Sequence, residues 1–306
     1  MLRYLIKRIL SAFGTMLLVS VVAFLFIRLI PGDPVRLMVG EDASYETVMN
    51  VTRKLGLDKP LITQYGIWMK GILQGDLGTS FRTGRPVLEE IAPRYGKTVR
   101  LALISISWSV ILGMLMGVWS GTNVGKWQDY FGVTLTVAGQ AVPAFWIGLL
   151  LIYVFGVRLK VLPVSGAKNW KALILPAFTM GTSMAATVTR FTRSSLLESL
   201  KEDYIRTARA KGLKERVVIW KHGFRNSLIS VVTVIGMNFG AMLGGSVLIE
   251  EVFVYPGIGS FLVSSIGLRD YVVVQALILL LSAHYVFINV FVDIVYAILN
   301  PEIRFE

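Results

Sequence analysis

VRLALISISWSVILGMLMGVWSG, residues 99–121, runs for 23 residues with a single charge, Arg100. About 20 apolar residues in a helix cover the ~30 Å hydrocarbon core of a bilayer, so this stretch reads as a membrane span rather than a globular core helix. Comparable blocks lie near 9–30, 131–157, 173–190, 228–254 and 272–299. The pattern predicts an all-α integral membrane protein with six transmembrane helices. The chain is 54% hydrophobic and 16% charged, with a mean hydropathy of +0.65, too little polarity to cover a soluble domain of 306 residues. Cysteine is absent, which excludes disulfides, thiolate metal sites and cysteine nucleophiles. Two histidines, His222 and His284, are too few and too far apart to suggest a metal site, so none is expected. The net charge of +12 sits mostly in loops that flank apolar blocks. That placement speaks for membrane topology and anionic lipid, and against nucleic acid.

The first block follows Arg3, Lys7 and Arg8, like a signal peptide, but its apolar stretch is longer than an h-region and PGDP (31–34) is no small-residue cleavage site. It is read as an uncleaved span. Residues 190–225 carry ten Lys/Arg against four Asp/Glu, and the N-terminus is basic. The positive-inside rule then places both in the cytoplasm, with both termini inside. The loop Arg158–Lys171 opposes this mildly, and the larger cluster outweighs it. The outer segment, 31–98, carries helix signals of its own. Ser44 caps a helix running to about Leu55 with Gly56 beyond it, Pro60 opens one over Leu61–Leu73, and Pro86 with Glu89 and Glu90 starts a third. No repeat or linker divides the chain, so 1–306 is read as one membrane domain.

The most informative loop lies between spans four and five, at 199–227 within SLKEDYIRTARAKGLKERVVIWKHGFRNSLI (199–229). Leu200, Tyr204, Ala208 and Lys211 fall at helical spacing, and Gly212 stops the helix. Thr207, Ala208 and Ala210 are small enough for a partner to approach closely, while Arg206, Arg209 and Lys211 could orient it. An amphipathic helix lying on anionic lipid is the alternative.

EDYIRTARAKG (202–212), followed by HGFRN (222–226), resembles the coupling loop of ABC importer permeases, in the form used by the dipeptide/oligopeptide/nickel branch. PGDP (31–34), GLDKPLITQY (56–65), GDLGTSF (75–81), VPAFW (142–146), LPVSG (162–166), ILPAFTMG (174–181), RFTRSS (190–195), YPGIG (255–259), RDYVVVQ (269–275) and VDIVYAILNPEIR (292–304) extend the resemblance over almost the whole chain. Arg206 and Thr207 depart from the broad family pattern, and the loop between spans three and four is short. The resemblance implies a bacterial inner-membrane permease forming half of a pathway for di- or oligopeptides, glutathione-like peptides or nickel chelates. It implies a homologous second permease, two ATPase subunits that bind ATP and magnesium, and an extracytoplasmic substrate-binding protein. Asp203, Tyr204, Arg206, Thr207, Ala208, Arg209, Ala210, Lys211 and Gly212 would meet an ATPase subunit, and the outer helices would either receive the binding protein or cap the mouth.

The chain has no phosphate-binding loop of its own. Gly96–Thr98 lacks the upstream glycine, and Gly121–Lys126 has the wrong spacing. No catalytic residue is expected. Gln140, Asn238 and Asp293 are polar positions inside apolar spans, and Pro143 should kink the third. A structural hydrogen bond or a place on the pathway are the two roles open to them. Gly113/Gly117 and Gly240/Gly244 have the spacing of close helix packing. A secondary transporter would need more ionisable residues than Asp293 and His284, and an intramembrane enzyme would need a convergent catalytic set.

Overall fold

Apolar runs become helices here because a lipid-facing backbone must satisfy its own hydrogen bonds. The computed structural model describes residues 2–26, 34–40, 43–54 and 56–299. Helix α1 (Leu2–Phe26) is followed by three short helices, α2 (Pro34–Val39), α3 (Tyr45–Lys54) and α4 (Leu61–Leu73). Then come α5 (Val87–Gly121), α6 (Trp127–Ala141) and α7 (Ala144–Leu151), the last continuing as a π-helical turn over Ile152–Arg158. A 3₁₀ turn (Trp170–Leu173) leads into α8 (Ile174–Ser199), then α9 (Asp203–Ala210) and α10 (Glu215–Val217). A second π-helical turn (Val218–Phe224) runs into α11 (Arg225–Val252), followed by α12 (Ile258–Gly267) and α13 (Tyr271–Leu299). Among the described residues four helices are long and apolar enough to cross a membrane, within Ile6–Leu25, Val87–Gly121, Trp170–Ser199 and Tyr271–Ile294, and α6 with α7 would make a fifth. Helix α11 has 28 residues and holds the apolar stretch Ser230–Gly240.

Helix α8 is the centre of the bundle. Its most apolar window is 67% buried, against 17% for α1, which lies at the periphery. Helices α5, α6, α7 and α11 all pack on α8. Gly113 and Gly117 make the α5 contact possible: a Cβ there would come within 2.7 Å of Val188 and 2.5 Å of Thr192. The Trp108 indole donates to the Ala177 carbonyl at 2.9 Å and stacks on Phe178. Gly240 likewise faces Tyr285 and Asn289 of α13, but Gly244 has open space beside it, so the second glycine pair packs only at one member.

Two expectations need correction. The helix start at Pro86 and the span at 99–121 are one 35-residue helix. Val87 and Ile91, one turn apart, pack with Ile258, Val273 and Leu277, so the extension is held by α12 and α13 despite Pro93. The kink at Pro143 is a break: α6 and α7 meet at 101°. Ser44 does cap α3 through the Thr47 amide, at 3.2 Å, and α4 begins after Pro60. The end of the first expected span, 27–30, and most of PGDP lie outside the described residues.

Buried carboxyl groups tie the helix ends together. Glu250, at the end of α11, is wholly buried. It accepts from Thr98 Oγ1 of α5 at 2.6 Å and from the Gly259 and Ser260 amides of α12 at 2.7 and 3.0 Å. Thr98 Oγ1 in turn accepts from the Ile258 amide at 2.9 Å. Asp270 accepts from Ser80 Oγ at 2.5 Å, fastening the outer segment to the start of α13. Towards the other end, Asp129 of α6 receives a two-pronged contact from Arg193 of α8, at 2.6 and 2.9 Å, and accepts from Ser120 Oγ at 2.6 Å.

Removing the Glu250 carboxyl strands three buried donors, each worth about 1–3 kcal/mol when unsatisfied. Glu250→Leu should therefore lower the thermal unfolding midpoint in detergent clearly, and Glu250→Gln, which still accepts two of the bonds, by less than half as much. Equal midpoints for all three chains would show that this junction carries no stability.

Candidate coupling and pathway sites

Helix α9 is amphipathic on one short face, and that face is used within the chain. Ile205 and Ala208, three residues apart, are buried against Val218 and Leu200. Helix α9 ends in a two-bond glycine cap: the Gly212 amide donates to the Arg209 carbonyl at 2.9 Å and the Leu213 amide to the Ala208 carbonyl at 3.4 Å. Gly212 has φ +73°, where a side chain would be strained. Ser199 Oγ donates to the Gly223 carbonyl at 3.0 Å, so the 2.5 Å contact with Tyr204 has the tyrosine hydroxyl as donor. Arg209 pairs with Glu215 at 2.7 Å, bracing α9 against α10. This bond holds the Glu215 carboxyl below its ordinary value and raises Arg209. Its contribution is thus present above the ordinary carboxylate range and fades as pH falls through the lowered value.

Asp203, Arg206, Thr207, Ala210 and Lys211 are exposed, as are Tyr204 and Arg209, whose polar ends bond to Ser199 and Glu215. Arg206 and Asp203 make only a loose, solvent-exposed pair at 3.8 Å. Ala208 is therefore not on the face offered to a partner, and Arg209 is already engaged by Glu215. The i, i+3 spacing of Ile205 and Ala208 was the signal that Ala208 turns inward.

The four polar or kinked positions within spans do not form one cluster. Gln140, near the end of α6, reaches α8, donating to Thr187 Oγ1 at 3.4 Å and accepting from Arg190 Nη1 at 3.3 Å. Pro143 is the first residue before α7, at the break. Asn238 donates to the Val234 carbonyl of its own helix at 2.8 Å. Asp293 pairs with Arg8 of α1 at 3.1 Å. Arg8 and Arg190 read in the sequence as topology signals, and nothing in the local pattern marks them as partners of Asp293 and Gln140. His284 meets the Tyr95 hydroxyl of α5 at 3.0 Å. Among the described residues no group of three or more His, Asp or Glu is placed to hold a metal ion.

Residues 1–102 match the N-terminal family of binding-protein-dependent transport system membrane components, and 109–305 match the family of binding-protein-dependent transport system inner membrane components. The chain is 49% identical to a glutathione transport system permease protein of Pectobacterium atrosepticum, over 100% of both chains. It is 47% identical to the protein of the same description from Salmonella typhimurium and 46% identical to that from Escherichia coli, again over full length. Among solved structures, an amino acid ABC transporter crystallised with histidines matches with a TM-score of 0.52 at 14% identity, covering 67% of this chain and 90% of that one. That likeness speaks to the fold alone. The chain belongs to the binding-protein-dependent transport system inner membrane component family, and is a permease subunit of an ABC importer of the peptide/nickel group.

Proposed function

We propose that this permease forms half of a translocation pathway for glutathione or closely related small peptides, delivered by an extracytoplasmic binding protein. The full-length similarity to glutathione transport system permeases supports the substrate class. A second, homologous permease completes the pathway, and two ATPase subunits bind ATP and magnesium and perform the hydrolysis. The chain acts as one membrane domain with six spans. Helix α11 supplies the fifth, and the broken pair α6 and α7 the third. Both termini and the loop 199–227 face the cytoplasm, and the outer helices α3 and α4 receive the binding protein or cap the mouth.

The observation that carries the coupling assignment is the division of labour on α9. A helix lying on lipid must turn an apolar face towards the membrane. The buried apolar residues of α9, Ile205 and Ala208, are spent on Leu200 and Val218. What remains outside is polar or small, Asp203, Arg206, Thr207, Arg209, Ala210 and Lys211, with Tyr204 exposed beside them and its hydroxyl bonded to Ser199. A polar, shallow face suits a protein groove. Because α9 is bonded to the end of α8 and packs on the π-helical turn that leads into α11, a push on it from an ATPase subunit would move the bundle.

Arg206→Glu combined with Thr207→Trp should leave the thermal midpoint unchanged and cut ATPase co-purification from mild detergent at least fivefold. Ala208→Glu, which forces a charge into the buried side, should lower the midpoint as well. Wild-type recovery of ATPase with the double variant would sink the docking assignment. In vesicles holding the complete complex and its binding protein, radiolabelled glutathione should accumulate only with ATP inside the compartment that holds the ATPases. Uptake that ignores ATP would speak for a different transport class.

A further inference from the structure

Helix α8 is the most buried span of the bundle, yet the surface it keeps open is polar. Beyond Phe178 the side chains it leaves exposed are Ser183, Arg190, Ser194 and Glu198, with Thr182 and Thr187 half-buried between them. Helix α1 makes the contrast: from Ile9 to Val22 its large exposed side chains are Ile9, Leu10, Phe13, Leu17, Leu18 and Val22, with Ser11 and Thr15 between them, the composition of a lipid contact. A charged arginine in hydrocarbon costs about 2.5–3.5 kcal/mol even by insertion scales. The polar stripe of α8 therefore faces water or a polar partner.

Arg190 is the chemical centre of this stripe. It lies about 13 Å along the helix from Ser199 and about 24 Å from Ile174, taking 1.5 Å per residue. One turn further on, Arg193 is neutralised by the Asp129 carboxylate. Arg190 takes part in no ion pair among the described residues. Its hydrogen bond among the described residues, from Nη1 to Gln140 Oε1 at 3.3 Å, uses one of five N–H donors. An arginine can only donate, so the Gln140 carbonyl must face it, and the amide end then meets Thr187 at 3.4 Å. The neutral pair orients the guanidinium without cancelling its charge. Irregular backbone adjoins it: the 101° break between α6 and α7 begins two residues after Gln140. Within a membrane such backbone is tolerated where it lines protein or a water-filled cavity.

We propose that Arg190, held by Gln140 and Thr187, is a contact on the translocation pathway for the free carboxylate of an anionic solute. The guanidinium fork matches a carboxylate in two-pronged geometry. Among the described residues no carboxylate neutralises its charge, the groups it meets being the neutral Gln140 amide and the Phe191 ring at 5.3 Å. The inference rests on the transport reading above and names the group of the solute that the chain recognises. A phospholipid phosphate is the competing occupant.

The chain contains no cysteine, so single cysteines can be read without background on this subunit. In the complete complex in vesicles, Ser183→Cys and Thr187→Cys should react with a charged, water-soluble thiosulfonate reagent at least tenfold faster than Leu18→Cys on the lipid-like face of α1. Arg190→Gln should lower ATP-driven uptake of radiolabelled glutathione at least tenfold at unchanged complex assembly, and Arg190→Lys should recover at least a third of wild-type uptake. Three results would overturn the proposal: Thr187→Cys no more reactive than Leu18→Cys; Arg190→Gln uptake within twofold of wild type; or loss in Arg190→Gln that Arg190→Lys does not relieve. Recovery of Arg190→Gln on raising the phosphatidylglycerol content of the vesicles would assign the arginine to lipid and overturn it too. If the unsubstituted complex imports no glutathione, the substrate reading fails by itself, and the cysteine reactivities still decide whether the stripe lines the pathway.

Discussion

The arrangement depends on how closely α5 can lie against α8. Dispersion forces between helices fall away within a fraction of an ångström of the optimum, and in lipid there is no hydrophobic drive to compensate for a gap. Gly113 and Gly117 remove the side chains that would hold the helices apart, and Val188 and Thr192 occupy the space. With α8 buried on this side, α6, α7 and α11 find their places around it. Among the described residues, the face of α8 left open beyond Phe178 is then the polar one carrying Arg190, and α1 is left at the rim with its leucines and isoleucines outward.

Polar joints at the helix ends do the remaining work. A carboxyl group that accepts several donors is stable in a dry setting where a single bond would not offset its desolvation. Glu250 meets this condition by gathering a threonine of α5 and two amides of α12, so three elements share one acceptor. Asp129 does so by combining Arg193 with Ser120, and Asp270 by taking the Ser80 hydroxyl of the outer segment at the start of α13. The bundle is thus apolar along its length and cross-braced near its ends.

Helix α9 divides inward-packed from outward residues on one short element. Its inward residues, Ile205 and Ala208, hold it to the bundle, while its outward residues make few bonds within the chain. An element arranged this way can make and break outer contacts while its inner ones stay in place. Tyr204 and Ser199 bind α9 to the end of α8, the helix that also bears Arg190. The exposed face of α9 and the open polar stripe of α8 therefore lie on two helices joined by this bond.

Much of this was readable from residue order. The length and apolarity of the spans, the Ser44 cap, the glycine stop at Gly212 and the spacing of Gly113 and Gly117 are local properties, set by helix geometry and backbone sterics. The family follows from motif order along the whole chain. Tertiary structure alone decided which residues meet across long separations. Arg193 lies 64 residues from Asp129, and Thr98 lies 152 from Glu250. It merged Pro86–Gly121 into one helix because α12 and α13 cover Val87 and Ile91, and it turned Ala208 inward because Val218 returns beneath it. It also left Arg190 with a neutral partner while giving Arg193 a carboxylate. Periodicity and charge specify which face of a helix is polar, but the partner of each charge depends on how the helices are placed around α8, and that is fixed by packing.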